Sequence, residues 1–221
     1  MDKKPFIKYS PYIVQDQDRL LVSSNYLKMM NKRRSLRAFS DEDIDIEIIE
    51  NIIKTANTAP SGAHKQPWMF CVVKDAGIKK QIREAAEKEE YENYHGRMSD
   101  EWLKDLAVLE TDWQKPFLEI APYLIIVFKK AYEIDSEGNH HKNYYVNESV
   151  GLACGFLLAA IHHAGLVALT HTPSPMNFLL KVLKRPENER PFLLIPVGKA
   201  PKEVFVPDLQ RKSLAEIAVF Y

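Results

Sequence analysis

Apolar residues recur along the chain with two different periods, and each period predicts a different kind of element. Between Ser40 and Pro60, isoleucine side chains repeat at the spacing of one helix face, which predicts a helix that begins at Ser40 and stops at Pro60. Four short apolar runs rich in β-branched residues have the length of buried strands: residues 68–74, 123–128, 166–170 and 192–197. Helices and strands alternate, so we predict a sheet covered by helices on both faces.

A long charged region lies between the first two predicted strands. Residues 76–113 have a helical pattern, and we predict two helices that are interrupted near Gly96. Ser99 suits the N-cap of the second helix, because its hydroxyl can accept a hydrogen bond from a free N–H of the first turn. We therefore expect a helical pair between the two strands.

Residues 147–164 have another helical pattern, made of small and apolar residues. Gly151 and Gly155 have no side chains, so this helix is predicted to allow close approach of neighbouring backbone. A later, shorter helix is predicted to have Ser174 as its cap and Pro175 at its first position, where the missing N–H of proline is harmless. We expect the longer helix to be central to the fold.

Composition narrows the class of protein. The 221 residues are 46% apolar and 27% charged, which is typical of a folded chain with one core, so we expect a single domain at residues 1–221. Basic and acidic residues are equal in number, which disfavours nucleic-acid binding. The apolar stretch at 151–161 is too short to span a membrane. Cys71 and Cys154 look like buried thiols rather than a disulfide or a metal pair, which indicates a cytoplasmic protein without a metal site.

Two local segments carry the candidate chemistry, since the sequence contains no glycine-rich nucleotide loop, zinc motif or serine-hydrolase elbow. Arg33, Arg34 and Arg37 lie within five residues, together with the hydroxyl of Ser35. Such a cluster suits a phosphate anion, or else it is a solvated basic loop. Residues 59–68 form a turn-rich loop whose small residues let a flat ligand approach the backbone, although an ordinary connection has the same composition.

In this order the two segments resemble the nitroreductase-like FMN-binding superfamily, which combines an R-R-S-x-R-x-F segment with a P-S-x-x-x-x-Q-P-W loop. The matches here are residues 33–39 and 60–68. The resemblance narrows to the iodotyrosine deiodinase family at Glu90, Tyr94 and Lys115. It implies an α+β nitroreductase-like fold, with a central mixed sheet flanked by helices, in a domain-swapped homodimer. The helical insertion at about 76–116 would then be a lid over the active site.

The resemblance also implies FMN as the cofactor, bound at the interface of the dimer. The residues implied for its phosphate and ribityl chain are Arg33, Arg34, Ser35, Arg37 and Arg211. Ser61 and Gly62 would come from the other subunit, and Ala63 would contact the substrate. The segment implied for the isoalloxazine edge is Thr170, His171 and Thr172. Thr172 would be the catalytic residue, with its hydroxyl near flavin N5.

The lid residues have a simple physical interpretation. Glu90 and Tyr94 are four residues apart and so share one helix face, and Lys115 lies where the chain can fold back. A carboxylate, a hydroxyl and an ammonium group together match the two charges of an amino-acid zwitterion. From the pattern alone, Glu90 is equally part of a solvated acidic run that contains Glu87, Glu89 and Glu92. The family resemblance favours the zwitterion site.

The implied reaction is removal of iodide, or another halide, from mono- and diiodotyrosine by one-electron flavin chemistry. Electrons would come from NAD(P)H or from a separate reductase. Two other functions remain open: a general FMN-dependent NAD(P)H nitroreductase or quinone reductase, and a non-enzymatic protein that binds FMN or halotyrosine. His64 departs from the nitroreductase pattern, which commonly has asparagine there, so its contact with the flavin or the substrate is expected to differ.

Overall fold

The computed structural model describes residues 6–221 and divides into two units, one up to Arg33 and one from Arg34 onward. The smaller unit contains a 3₁₀ turn, Asp16–Asp18, followed by α1, Arg19–Asn31. None of the side chains of α1 is buried, and its apolar residues lie all round the helix rather than in one stripe. An exposed ion pair between Asp16 and Arg19, at 2.9 Å, joins the turn to the first residue of the helix.

The larger unit contains the remaining elements. Its helices are α2 (Ile46–Ala56), α3 (Ala76–Glu92), α4 (Asp100–Ala107), α5 (Phe117–Ile120), α6 (Val146–His163), α7 (Phe178–Val182) and α8 (Leu214–Ile217). Its strands are β1 (Trp68–Val73), β2 (Tyr123–Lys130), β3 (Tyr132–Ile134), β4 (His140–Lys142), β5 (Val167–Ala168) and β6 (Glu189–Gly198). A 3₁₀ turn, Gly62–His64, precedes β1, and a π-helical turn, Asn93–Arg97, joins α3 to α4. The four predicted strands and the interrupted helical pair are therefore confirmed.

A four-stranded sheet in the order β1-β2-β6-β5 organises this unit. Neighbouring strands in it are antiparallel, with Ile125 opposite Ile195 in the central pair. A parallel component comes from the bridge between Ser35 and Ala168, beside β5. The strands β3 and β4 form a separate hairpin. The sheet edge at β5 is thus extended by the chain that contains the arginine cluster.

Both faces of the sheet are covered, as the alternating pattern predicts. Along β2, Leu124 and Ile126 lie in a core cluster with α3 and α5, while Ile125 and Val127 lie in a second cluster with α2 and α6. Successive strand residues point to opposite faces, so one buried strand supports both clusters. Each fully buried aliphatic side chain contributes about 1.5–3 kcal/mol. The site described below therefore rests on a rigid sheet.

Two predicted helix starts are wrong. The helix assigned to Ser40 begins at Ile46, and its N-cap is Asp45, whose Oδ1 accepts from the N–H of Glu47 at 2.9 Å. The backbone N–H of Ser40 donates instead to the carbonyl of Lys199, at 2.9 Å, so this residue is held against the end of β6. The Ser40 hydroxyl still accepts a local hydrogen bond, from the N–H of Glu42 at 3.2 Å, but the backbone becomes helical only at Ile46.

The second wrong start is at Ser174, because α7 begins at Phe178 and has Asn177 as its N-cap. The Ser174 carbonyl accepts a hydrogen bond from the buried amide of Asn93 at 2.8 Å, which fixes Ser174 outside the helix. At Gly151 and Gly155, no atom of residues 6–221 other than the adjacent backbone of α6 itself lies within 4 Å of the position of an added Cβ, so no other described segment makes the predicted close approach. Ser99 does cap α4, accepting from the N–H of Trp102 at 3.2 Å.

Candidate active site

A cavity of about 180 Å³ lies where the helical pair meets the edge of the sheet. Its lining residues are Arg37, Glu90, Tyr94, Met98, Trp102, Leu106, Thr111, Lys115, Phe117, Leu169, Thr170, His171 and Thr172. Seven of the residues predicted from the sequence are in this set: Arg37, Glu90, Tyr94, Lys115, Thr170, His171 and Thr172. Segments that are far apart in the chain thus meet at one cavity.

The wall formed by Thr170, His171 and Thr172 is an extended continuation of β5. The N–H of His171 donates to the carbonyl of Leu194 at 2.9 Å, and the N–H of Leu194 returns a bond of 3.0 Å to His171. Extended backbone alternates its side chains, so His171 is buried while the two threonine hydroxyls are exposed. The hydroxyls of Thr170 and Thr172 are therefore available to a ligand.

Residues 35 and 36, between Arg34 and Arg37, run alongside this wall. Ser35 forms a parallel bridge with Ala168, and the N–H of Leu36 donates to the Ala168 carbonyl at 3.2 Å. The guanidinium of Arg34 donates to the carbonyl of Pro207, four residues before Arg211. Arg37 reaches the cavity and is half-buried there; burial lowers its pKa, but a guanidinium remains charged at physiological pH.

Glu90, Tyr94 and Lys115 form the opposite wall. The Lys115 Nζ lies 3.6 Å from Glu90 Oε2, and these residues are 3% and 6% exposed. Tyr94, one turn after Glu90, donates its hydroxyl proton to the Thr111 carbonyl at 3.2 Å, and its ring lies 5.4 Å from the Lys115 Nζ. The sequence left open whether Glu90 lies on a solvated face, and the burial of its side chain contradicts that alternative.

Burial and pairing act in opposite directions on these groups. Burial raises the pKa of Glu90 and lowers the pKa of Lys115, and the attraction between the two opposes both shifts. Burial also raises the pKa of the Tyr94 hydroxyl, so it stays protonated and can donate. Removing one member of a buried ion pair leaves the other charge uncompensated. A ligand that separates Glu90 from Lys115 must therefore supply a charge to each of them. We call Glu90, Tyr94 and Lys115 the clamp.

His171 is neutral in this setting. Burial lowers its pKa to about 3, and the nearby cations Lys115 and Arg37 act in the same direction. Its ring stands edge-on to Phe117, with centroids 5.7 Å apart. Within residues 6–221, the buried Nε2 has no hydrogen-bond partner, which is uncommon for a buried polar atom.

The small-residue loop lies apart from the cavity lining. The hydroxyl of Ser61 accepts from the N–H of Gln66 at 2.9 Å, and the N–H of Gly62 donates to the Ser149 hydroxyl at 3.3 Å. Ala63 and His64 have φ angles of 50° and 56°, and Gln66 has a φ of 48°; all three are in the left-handed region that non-glycine residues rarely adopt. Such strain is concentrated at functional sites. The structure therefore does not bring Ser61, Gly62 and Ala63 to the cavity of the same chain.

Several lining residues were not predicted. Met98, Trp102 and Leu106 bring an apolar face to the cavity from the π-helical turn and from α4. Trp102 and Leu106 are four residues apart on one face of α4, and this spacing is the signal in the sequence that could have identified them; Met98 is extended and lies just before the helix. The sequence has no comparable signal for Phe117 and Leu169, because an apolar residue in an apolar segment is normally assigned to the hydrophobic core.

The sequence profile of the nitroreductase family matches residues 30–199, which span the arginine cluster, the clamp and the wall beside β5. The chain belongs to the nitroreductase family. Within that family it is 63% identical, over the full length of both chains, to an iodotyrosine deiodinase of Haliscomenobacter hydrossis. It is 44% identical to human iodotyrosine deiodinase 1, covering 96% of this chain and 74% of the human one. The resemblance to iodotyrosine deiodinases is confirmed.

Solved structures agree with this placement in the nitroreductase family. A crystal structure of oxidized iodotyrosine deiodinase bound to FMN and 3-iodo-L-tyrosine has a TM-score of 0.75 and 33% identity, covering 89% of this chain and 98% of that one. A nitroreductase of Bacteroides fragilis with bound FMN has a TM-score of 0.66 at 19% identity, covering 89% and 98% of the two chains, which supports the fold alone. The predicted nitroreductase-like α+β fold is confirmed.

Helix length and hydropathy bear on membrane association. Among residues 6–221, none of the helices combines the length and the apolar character that crossing a bilayer requires.

Proposed function

We propose that this nitroreductase-family chain is an FMN-dependent reductive dehalogenase that removes iodide from mono- and diiodotyrosine. The observation that carries this proposal is the buried clamp of Glu90, Tyr94 and Lys115 across one cavity from Thr170–Thr172. An amino-acid zwitterion has an ammonium group that can pair with Glu90 and a carboxylate that can pair with Lys115. The relatives and the FMN-bound deiodinase structure support the same substrate class.

The residues beside β5 fit FMN. Arg34, Ser35 and Arg37 supply two cations and a hydroxyl, which suit a phosphate and a polyol chain. The hydroxyls of Thr170 and Thr172 lie at the cavity, where they can form hydrogen bonds with the polar edge of a flat ring system. From the family resemblance, we also assign Arg33 and Arg211 to the phosphate and ribityl chain of FMN. When bound, FMN would supply two electrons, which with one proton convert the carbon–iodine bond into a carbon–hydrogen bond and iodide.

The clamp holds the substrate by its amino-acid end. Glu90 accepts hydrogen bonds from the ammonium group, while Lys115 and the Tyr94 hydroxyl donate to the carboxylate. Met98, Trp102 and Leu106 cover the aromatic ring and exclude water, which strengthens the polar contacts inside the closed site. Residues 76–116 thereby act as the lid.

Two residues of the sheet-edge wall have distinct roles. The Thr172 hydroxyl would donate a hydrogen bond to N5 of bound FMN, and the cofactor would supply one-electron chemistry there. His171 stays neutral, so it adds no positive charge between Arg37 and Lys115. The chain thereby orients its ligands and tunes the charge around them.

We further propose a homodimer, in which Ser61, Gly62 and Ala63 complete the site of the other subunit. The loop is strained, and Ala63 is exposed within one chain. The α6 helix also exposes Leu152 and Phe156, at 49% and 40%, on the same helix as the open positions Gly151 and Gly155. Reducing equivalents come from NAD(P)H or a separate reductase. The unpaired thiols Cys71 and Cys154 suit the cytoplasm.

An anaerobic single-turnover experiment tests this function. The protein is loaded with FMN, reduced with dithionite, freed of excess reductant and mixed with diiodotyrosine. We expect flavin reoxidation with stoichiometric release of iodide. Reoxidation by a nitroaromatic compound but not by diiodotyrosine would instead indicate the general nitroreductase, and tight binding without iodide release would indicate a binding protein.

A further inference from the structure

Glu87 lies one turn before Glu90 on α3, and its carboxylate points to the same part of the lid. The side chain is only 16% exposed. Its Oε1 accepts a hydrogen bond from the backbone N–H of Lys115 at 2.6 Å and another from Arg83 Nε at 2.8 Å. Glu87 is therefore not one of the solvated glutamates of the acidic run.

The bond from Lys115 joins two segments that are otherwise distant in the chain. Lys115 precedes α5, and its carbonyl accepts from the N–H of Leu118 at 3.0 Å. Its ammonium contacts the Asp112 carbonyl and the Thr111 hydroxyl, both from its own segment. The contact with Glu87 fixes the Lys115 backbone directly to α3, which carries Glu90 and continues into the π-helical turn that contains Tyr94.

The strength of this contact follows from its chemistry. A carboxylate that accepts from a backbone N–H makes a charge-assisted bond, which is shorter and about twice as strong as a neutral one. Glu87 and Glu90 are three residues apart, so both lie on the face of α3 that meets residue 115. One carboxylate holds the backbone of Lys115 while the other faces its ammonium group.

We propose that Glu87 is a positioning residue that sets the location of Lys115 in the clamp. This inference rests on the proposed function, because its consequence is the affinity for the carboxylate of an iodotyrosine. Glu87 does not line the cavity and acts through Lys115. The part of Glu87 that matters is its acceptor oxygen, since Lys115 donates through a backbone N–H.

Three variants separate this role from a general contribution to the helix. Glu87→Ala removes the acceptor. Glu87→Gln keeps an acceptor oxygen of nearly the same geometry without the negative charge. Arg83→Ala is the matched control, because it removes the other partner of Glu87 and leaves the bond to Lys115 in place.

The first measurement is the Kd of 3-iodotyrosine for each FMN-loaded variant, from quenching of flavin fluorescence. We expect about a tenfold weaker Kd in Glu87→Ala, and values within about threefold of the unmodified protein in Glu87→Gln and Arg83→Ala. In turnover, we expect KM to rise while kcat stays within about twofold of the unmodified protein, because Glu87 does not line the cavity in which the reaction takes place. Unchanged affinity in Glu87→Ala, or an equal loss in Arg83→Ala, overturns the proposal.

The second measurement needs no ligand. Amide hydrogen exchange of the Lys115 N–H, read by NMR, should be about tenfold faster in Glu87→Ala than in Arg83→Ala. If unmodified protein fails to bind 3-iodotyrosine while this exchange difference is present, the proposed function fails and the contact with Glu87 stands. If exchange is the same in both variants, the positioning role is refuted whatever the ligand does.

Discussion

The clamp and the small-residue loop represent two ways of building a binding site. In the clamp, Glu90 and Lys115 are buried and already face each other within one chain. In the loop, Ala63 and His64 are exposed and held in left-handed backbone conformations. The first region owes its order to contacts inside the chain. In the second, Ala63 and His64 have a fixed conformation but are exposed, and in the proposed homodimer the other subunit would cover them.

The largest expected difference between the two regions is in their response to acid. His171, at the cavity, has a pKa lowered to about 3 from 6.5, so the unfolded chain binds a proton that the folded chain does not. The contribution of His171 to the free energy of unfolding is fully present above about pH 6.5 and is lost as the pH decreases toward 3, a total of about 5 kcal/mol. Urea unfolding between pH 4 and 8 should show a smaller decrease in His171→Asn than in the unmodified protein. His64→Asn, in the exposed loop, is the matched histidine substitution outside the cavity.

The next effect is on ligand affinity. Glu90→Gln removes the anion that faces the substrate ammonium and leaves Lys115 as an unpaired buried cation. We expect 3-iodotyrosine to bind about 100-fold more weakly, with FMN content unchanged. Glu92→Gln, on the exposed side of the same helix, is the matched control. Equal affinity of Glu90→Gln and Glu92→Gln for 3-iodotyrosine would remove the basis for a zwitterion clamp.

The loop should respond to bulk rather than to charge. A Cβ added at Gly62 would lie 2.9 Å from the carbonyl oxygen of Tyr144, so the backbone must shift. Gly62→Ala is therefore expected to lower stability by about 2 kcal/mol and to weaken FMN binding. At Gly96, in the lid, no described atom lies within 4 Å of the same position, so Gly96→Ala should leave FMN retention unchanged. Comparison of flavin retained after gel filtration measures the difference.

The smallest effect concerns the joint between the lid and the cavity wall. Asn93 is buried in the π-helical turn, and its amide donates to the Ser174 carbonyl, two residues after Thr172. Asn93→Ala should cost about 1 kcal/mol of stability and increase hydrogen exchange across residues 93–107. Asn51→Ala, on the exposed face of α2, provides the comparison. Equal exchange in the lid of both variants would show that Asn93 does not hold the lid.

Local chemistry made most of the fold predictable. The strands have continuous apolar runs, and the break in the lid has Gly96 and a capping Ser99 in sequence. The wrong starts at Ser40 and Ser174 have a common cause, since each residue is held by a bond to a distant segment, Lys199 or Asn93. No local pattern contains that information.

The candidate site was predictable to a similar degree. The resemblance identified Glu90, while its neighbour Glu87 looks the same in sequence as the solvated glutamates around it. What distinguishes Glu87 is the folded-back position of Lys115, which depends on the packing of α5 against α3. Long-range packing therefore decides which carboxylates of the acidic run have a role.

The contact between Glu90 and Lys115 also competes with every incoming molecule. A halogenated phenol without charged groups has no partner to offer either Glu90 or Lys115. If it separates the two side chains, both charges are left buried and unpaired. An amino acid with both charges exchanges one ion pair for two. Under the proposed function, we therefore expect the pair of Glu90 and Lys115 to disfavour the binding of neutral haloaromatic compounds.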